Sequence, residues 1–186
     1  MDLREPNKPK PGGAGPANTP IDLRKIDILV VDDNAHMRAL VRQVLTSMGI
    51  GSVREAPDGM AAFVLLKERR ADVIITDWMM EPLNGIEFVQ LLRNAPDSPD
   101  PEVPVIMLTG HTESARIVQA RDVGVDEFLA KPFSPRALFD RVHEVLTNPR
   151  PFVRRPGYAG PAPRAQVKPD QDSSRRRRRA AASGEE

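Results

Sequence analysis

Residues 73–85, VIITDWMMEPLNG, decide the fold. Val73, Ile74 and Ile75 form a β-branched run too short for a helix, and such a run reads as a strand over 73–76 buried on both faces. It ends at Asp77, after which Pro82, Asn84 and Gly85 turn the chain. A carboxylate at the carboxyl end of a buried strand faces the crevice where open α/β sheets bind ligands. Aspartate also caps helices, so Asp77 acquires meaning only from what the other strand ends bring to it.

Upstream, IDILVV at 26–31 is a second apolar run, and it stops at Asp32-Asp33. Asn34 can cap a helix whose apolar spacing runs Met37, Leu40, Val41, Val44, Leu45, Met48. Gly49 and Gly51 end it. A weak strand follows at 52–56, then a helix at 59–69 expected to turn Met60, Phe63, Val64 and Leu66 inward. Downstream, a helix at 86–93 buries Ile86, Phe88, Val89 and Leu92, and the proline-rich stretch 94–104 is a loop. Residues 105–108 form a strand ending at Thr109-Gly110, and 114–123 a helix with a weak apolar face. A short strand at 127–130 ends at Lys131-Pro132. The last helix, 134–146, has Ser134 as cap and Pro135 in its first turn. Strands alternating with helices in this rhythm make βαβ units: an α/β, doubly wound, five-stranded parallel sheet with helices on both faces.

The chain has 186 residues and no cysteine, which excludes disulfides, thiolate chemistry and Cys-type zinc sites. No apolar run spans a bilayer and no signal-peptide core is present, so a cytoplasmic protein is expected. The net charge of +1 conceals an acidic body with 14 basic against 19 acidic side chains over 24–147, and a segment from 148 onward with 10 against 4. Residues 1–23 are rich in Pro, Gly and polar side chains and are expected to be a disordered extension. Residues 24–148 form the domain. Residues 149–186, including the arginine run 175–179, are expected to be a disordered basic Pro/Arg-rich tail.

In a parallel sheet the strand ends share one edge. Asp32, Asp33, Asp77, Thr109 and Lys131 therefore meet in one cleft. Clustered carboxylates repel unless protonated or bound to a cation. Hard oxygen ligands with open positions suit Mg²⁺, which completes its shell with water and phosphate oxygens. With the metal in place Asp77 can attack phosphorus as a covalent nucleophile, Lys131 can offset charge on the phosphoryl oxygens, and Thr109 can donate a hydrogen bond.

Asp32-Asp33, Asp77 with Gly85 eight residues on, Thr109-Gly110, and Phe128 three residues before Lys131-Pro132 stand in one order and spacing. Over roughly 26–147 this resembles the receiver domain of two-component response regulators, in particular the stand-alone, chemotaxis-type group. The resemblance implies a flavodoxin-like sheet of strand order 2-1-3-4-5, Asp77 as phosphoacceptor, and Mg²⁺ held by Asp32, Asp33, Asp77 and the backbone carbonyl of Met79. It further implies Lys131 on the phosphoryl group with a cis bond to Pro132, Thr109 and Phe128 as the conformational switch, and Met79 and His111 as the positions that tune dephosphorylation. The implied partners are a histidine kinase or phosphotransfer protein and an output protein bound through the face formed by 114–123, 127–130 and 134–146. The chain is then not an enzyme, beyond catalysing its own phosphorylation and dephosphorylation. One departure stands out: Glu81 occupies the place, four after the phosphoacceptor, where the family usually has proline, and Pro82 follows it.

Other functions fit less well. An aspartate-nucleophile phosphohydrolase needs a second aspartate two residues after the first, where this chain has Met79, and a cap domain that it lacks. A nucleic-acid reader would have to rely on the arginine run against an acidic body. His36, His111 and His143 lie in different elements without metal spacing.

Overall fold

The computed structural model describes residues 21–110 and 122–163. The extension over 1–20, most of the 114–123 helix, and the tail from 164 with its arginine run lie outside the described residues. The elements are β1 (Asp27–Val31), α1 (Ala35–Ser47), β2 (Ser52–Ala56), α2 (Gly59–Glu68), β3 (Val73–Asp77), α3 (Gly85–Asn94), β4 (Val105–Thr109), β5 (Glu127–Ala130), α4 (Pro135–Thr147), β6 (Phe152–Arg155) and β7 (Tyr158–Pro161). β1 to β5 form one parallel sheet in the order β2-β1-β3-β4-β5, as expected. No helix among the described residues is long and apolar enough to cross a membrane.

Alternation along the strands divides the interior into two cores. Leu29, Val31, Ile74, Val105 and Met107 face α2 and α3, whereas Ile28, Val30, Val73, Ile75, Ile106 and Leu108 face α1 and α4. The central strands β3 and β4 are buried at every residue, which is why their sequences are continuous apolar runs. The helices start where the capping residues stand. The Asn34 side chain accepts from the backbone of His36 and Met37, Asn84 and Glu87 form a capping box, and Ser134 accepts from Ala137.

Two expected faces are corrected. α2 buries Gly59, Ala62 and Leu66, while Met60 and Val64 are each 57% exposed. The small side chains set the contact here: a Cβ on Gly59 would come within 2.7 Å of Leu83, so the helix lies close to its neighbours and its larger residues turn outward. Leu40 of α1 is likewise exposed, and Val41 and Leu45 carry that helix's burial.

The larger correction concerns the segment after Asn148. Residues 152–161, assigned to a disordered tail, form the antiparallel hairpin β6–β7 around Pro156-Gly157, with Gly157 at φ +76°. Pro followed by Gly with positive φ is the sequence preference of a type II turn. The hairpin packs backbone to backbone: a Cβ on Gly124 would meet the Ala159 carbonyl oxygen at 2.6 Å, and one on Gly160 would meet the Gly124 Cα at 2.5 Å. Arg93, whose side chain is wholly buried, binds this corner together. It donates to the carbonyls of Pro101, Val103 and Gly124, pairs with Asp126 at 3.1 Å, and lies 5.7 Å from the Phe152 ring centroid. Arg150 adds a 2.5 Å hydrogen bond to the Asp126 carbonyl.

Candidate functional site

The carboxyl ends of β1, β3, β4 and β5 converge. Asp32 follows β1 directly, its backbone N–H still bonded to the Ala56 carbonyl of β2, so it is buried and its side chain is held at the sheet edge. Its Oδ1 accepts from the Asn34 N–H at 2.9 Å and its Oδ2 from Lys131 Nζ at 3.1 Å. Asp77 is the last residue of β3, and its Oδ1 accepts from the Trp78 N–H at 2.8 Å and meets Lys131 Nζ at 3.0 Å. Lys131 is carried just past β5, with its N–H on the Thr109 carbonyl at 2.7 Å. One ammonium thus bridges two buried carboxylates.

Asp33 is exposed at the mouth. Carboxylate oxygens of Asp32, Asp33 and Asp77 lie within 4.8 Å of one another. These are hard oxygen donors on one side of an open edge, and they fit a Mg²⁺ ion that keeps its remaining positions for water or phosphate oxygens. Burial pushes the Asp77 carboxyl above its ordinary range. The hydrogen bond and charge of Lys131 oppose that push, and the neighbouring Asp32 adds to it.

Gly85 explains the turn after Asp77. A Cβ there would stand 2.1 Å from the Asp77 carbonyl oxygen, and the Gly85 N–H bonds to the Trp78 carbonyl at 2.9 Å. The start of α3 is pressed against the backbone of Asp77, an approach that only glycine permits. Trp78 is buried, and Met79 beside it is 58% exposed. The Lys131–Pro132 bond is cis, as the resemblance implies, and so is Glu81–Pro82 at the departure from the family pattern.

Thr109 is buried at the end of β4, in register with Ala130 of β5, and Phe128 is half-buried against the core under α2 and α3. His111 lies outside the described residues. The structure therefore brings together Asp32, Asp33, Asp77 and Lys131 at one edge and places Thr109 and Phe128 on the two adjoining strands. Sequence reasoning missed Arg38, in the first turn of α1. Its guanidinium Nη1 donates to the carbonyls of Asp32 at 2.7 Å and Asp33 at 3.3 Å. The signal was available: a helical side chain leans toward the N-terminus, so an arginine one turn into α1 reaches the residues just before it.

Comparison with known proteins bears on the family and the fold. The family model described as the response regulator receiver domain matches residues 28–143. A chemotaxis protein CheY homolog of Campylobacter jejuni is 38% identical over 120 residues, 64% of this chain and 91% of that protein. The structure of Vibrio cholerae CheY4 superposes with a TM-score of 0.60 at 33% identity, covering 64% of this chain and 98% of that one. The receiver domain of the Pseudomonas aeruginosa sensor histidine kinase PA1611, described with a magnesium ion coordinated in its active-site cleft, superposes with a TM-score of 0.57 at 27% identity. That match covers 64% of this chain and 95% of the other.

Proposed function

Because the chain belongs to the response regulator receiver family, we propose that it is a cytoplasmic single-domain response regulator with Asp77 as its phosphoacceptor. The observation that carries this reading is the Asp77 carboxylate, buried at the end of β3 between Lys131 and the aspartates that follow β1. Lys131 and the Trp78 N–H both hold Oδ1, which supports attack on phosphorus by Oδ2. In the transfer an oxygen–phosphorus bond forms at Asp77 while the phosphorus–nitrogen bond of a histidine kinase or phosphotransfer protein breaks, and the imidazole leaves with the electron pair. Asp32, Asp33, Asp77 and the Met79 carbonyl would hold Mg²⁺, which would supply positive charge to the phosphoryl oxygens. Lys131 shares that task at the edge facing Thr109.

The phosphorylated form signals by binding an output protein. Thr109 moves toward the phosphoryl group and Phe128 rotates into the vacated space, biasing a pre-existing equilibrium between two states. The surface that changes is the face formed by 114–123, 127–130 and 134–146. The chain thus acts on itself rather than on a turned-over substrate.

Acetyl phosphate and intact-mass spectrometry test the chemistry. One phosphoryl group is expected in the presence of Mg²⁺, with peptide mapping placing it on Asp77, and none when the metal is chelated, because the carboxylates then repel the anionic donor. Labelling without metal, or on another residue, overturns the assignment. The lifetime of the acyl phosphate is a second measurable property. Met79 stands exposed beside the acceptor and cannot hydrogen-bond an attacking water, so self-dephosphorylation is expected to be slow. Met79→Asn and Met79→Glu should each change the decay rate severalfold; identical rates in both would remove Met79 from the path of the water.

A further inference from the structure

Arg38 has a half-buried guanidinium whose contacts the phosphotransfer chemistry does not require. Its side chain is only 17% exposed although it lies in the first turn of a surface helix. Nη1 is shared between the carbonyl oxygens of Asp32 and Asp33. Nε faces Glu55 Oε2 at 3.5 Å, and the other oxygen of Glu55 takes Arg42 at 2.8 Å. Glu55 belongs to β2 and stands beside Val30 of β1 in the sheet. The sheet therefore holds Glu55, Glu55 holds Arg38, and Arg38 grips both peptide carbonyls of the Asp32-Asp33 pair.

We propose that Arg38 is a positioning residue of the metal site, fixing the backbone turn that aims the Asp32 and Asp33 carboxylates. This rests on the reading above that Mg²⁺ binds among Asp32, Asp33 and Asp77. The turn is also held at Asp32, whose N–H bonds to the Ala56 carbonyl and whose carboxylate accepts from the Asn34 N–H and from Lys131, so the hold of Arg38 matters most for Asp33. Asp33 is exposed, and the Asn34 side chain is engaged in capping α1. Without the guanidinium, the two carbonyls would lose their shared donor and the Asp33 carboxylate would sample orientations that do not face Asp77. Outer residues of this kind govern metal affinity through the orientation of the ligands.

The sign of the effect separates positioning from charge. A guanidinium so near the cluster repels an incoming cation, so if Arg38 acted by charge alone its removal would tighten Mg²⁺ binding. If it positions the ligands, removal weakens binding despite the relief of repulsion. Arg38→Lys keeps the charge but offers a point donor in place of a planar fork, and Glu55→Gln leaves Arg38 in place with a weaker anchor.

The experiment titrates Mg²⁺ into full-length protein by Trp78 fluorescence and by calorimetry, at a temperature where melting curves show each variant fully folded. Arg38→Ala is expected to weaken binding about tenfold, Arg38→Lys to weaken it by a smaller factor, and Glu55→Gln to weaken it in the same direction. Arg42→Ala, which removes only the outer partner of Glu55, should bind as the wild type does. Affinity in Arg38→Ala equal to or tighter than wild type, or Arg38→Lys indistinguishable from wild type, overturns the proposal while leaving the metal site standing. A wild type that does not bind Mg²⁺ overturns the metal reading, and the role of Arg38 falls with it.

Discussion

Asp77→Asn is expected to abolish acceptor chemistry and at the same time to raise the melting temperature of the metal-free protein. The amide cannot form an acyl phosphate, so the mass increment from acetyl phosphate should vanish completely. The stability gain follows from the environment. Asp77 is 8% exposed, and burial, with Asp32 adding to it, raises its pKa despite Lys131. A carboxyl whose folded pKa exceeds its unfolded value makes the folded state less stable whenever it is ionised. That cost is full above the raised pKa, shrinks as pH falls from there toward the ordinary carboxylate value, and is absent below it. The neutral isostere removes the cost, and Lys131 keeps Asp32 at 3.1 Å. A gain of about 1 kcal/mol, a few degrees in Tm, is the expected size. The advantage over wild type should narrow as the pH is lowered through the Asp77 titration. Saturating Mg²⁺ should erase it as well, because the metal stabilises the wild type by mass action. Thermal scans of both proteins at several pH values, with and without Mg²⁺, check this; a mutant less stable at neutral pH without metal would contradict it.

Ending the chain at Asn148 is expected to destabilise the domain substantially, whereas ending it at Pro163 should not. The hairpin closes the corner where Arg93 is buried, covering its guanidinium with Phe152 and pressing Ala159 and Gly160 onto Gly124. It also positions Arg150, which binds the Asp126 carbonyl at the start of β5 and the Ala162 carbonyl at the far end of the hairpin. Losing two or three half-buried apolar side chains and the charged hydrogen bonds of Arg150 should cost about 2–4 kcal/mol, or roughly 10 °C in Tm. Phosphate acceptance should persist, since the acceptor lies at the opposite end of the strands. Denaturant unfolding of the two truncations against the full chain decides it, and equal midpoints for all three would make the hairpin an ornament.

What was legible in the sequence and what was not follows from how each part is held. β3 and β4 are buried on both faces, so their composition alone reveals them, and polar residues at strand ends stand out against such runs. Asp32, Asp33, Asp77, Thr109 and Lys131 could be assembled from that contrast plus the rule that parallel strands share one edge. The hairpin was hidden because it adheres by glycine backbone contact and arginine hydrogen bonds, neither of which writes an apolar period into the chain. Pro156-Gly157 between Phe152-Val153 and Tyr158 was the available clue, outweighed by a composition averaged over the whole tail. The face of α2 misled for a related reason. Large apolar residues suggest the inward face, yet close approach selects Gly59 and Ala62. Arg38 is legible only through the lean of helical side chains toward the N-terminus, since no neighbouring residue type signals that a backbone carbonyl takes its donor from a side chain.

The docking of the hairpin also fixes where attachments to this domain sit. Pro163 leaves from beside the start of β5, and the segment at Leu23 enters beside Gly51, just before β2, through a bond from the Gly51 N–H to the Leu23 carbonyl. Both handles are therefore at the amino-terminal pole of the sheet, and the carboxylates are at the other. A surface linker or fused protein joined directly at Leu23 or at Pro163 would therefore start from the pole opposite the acceptor edge.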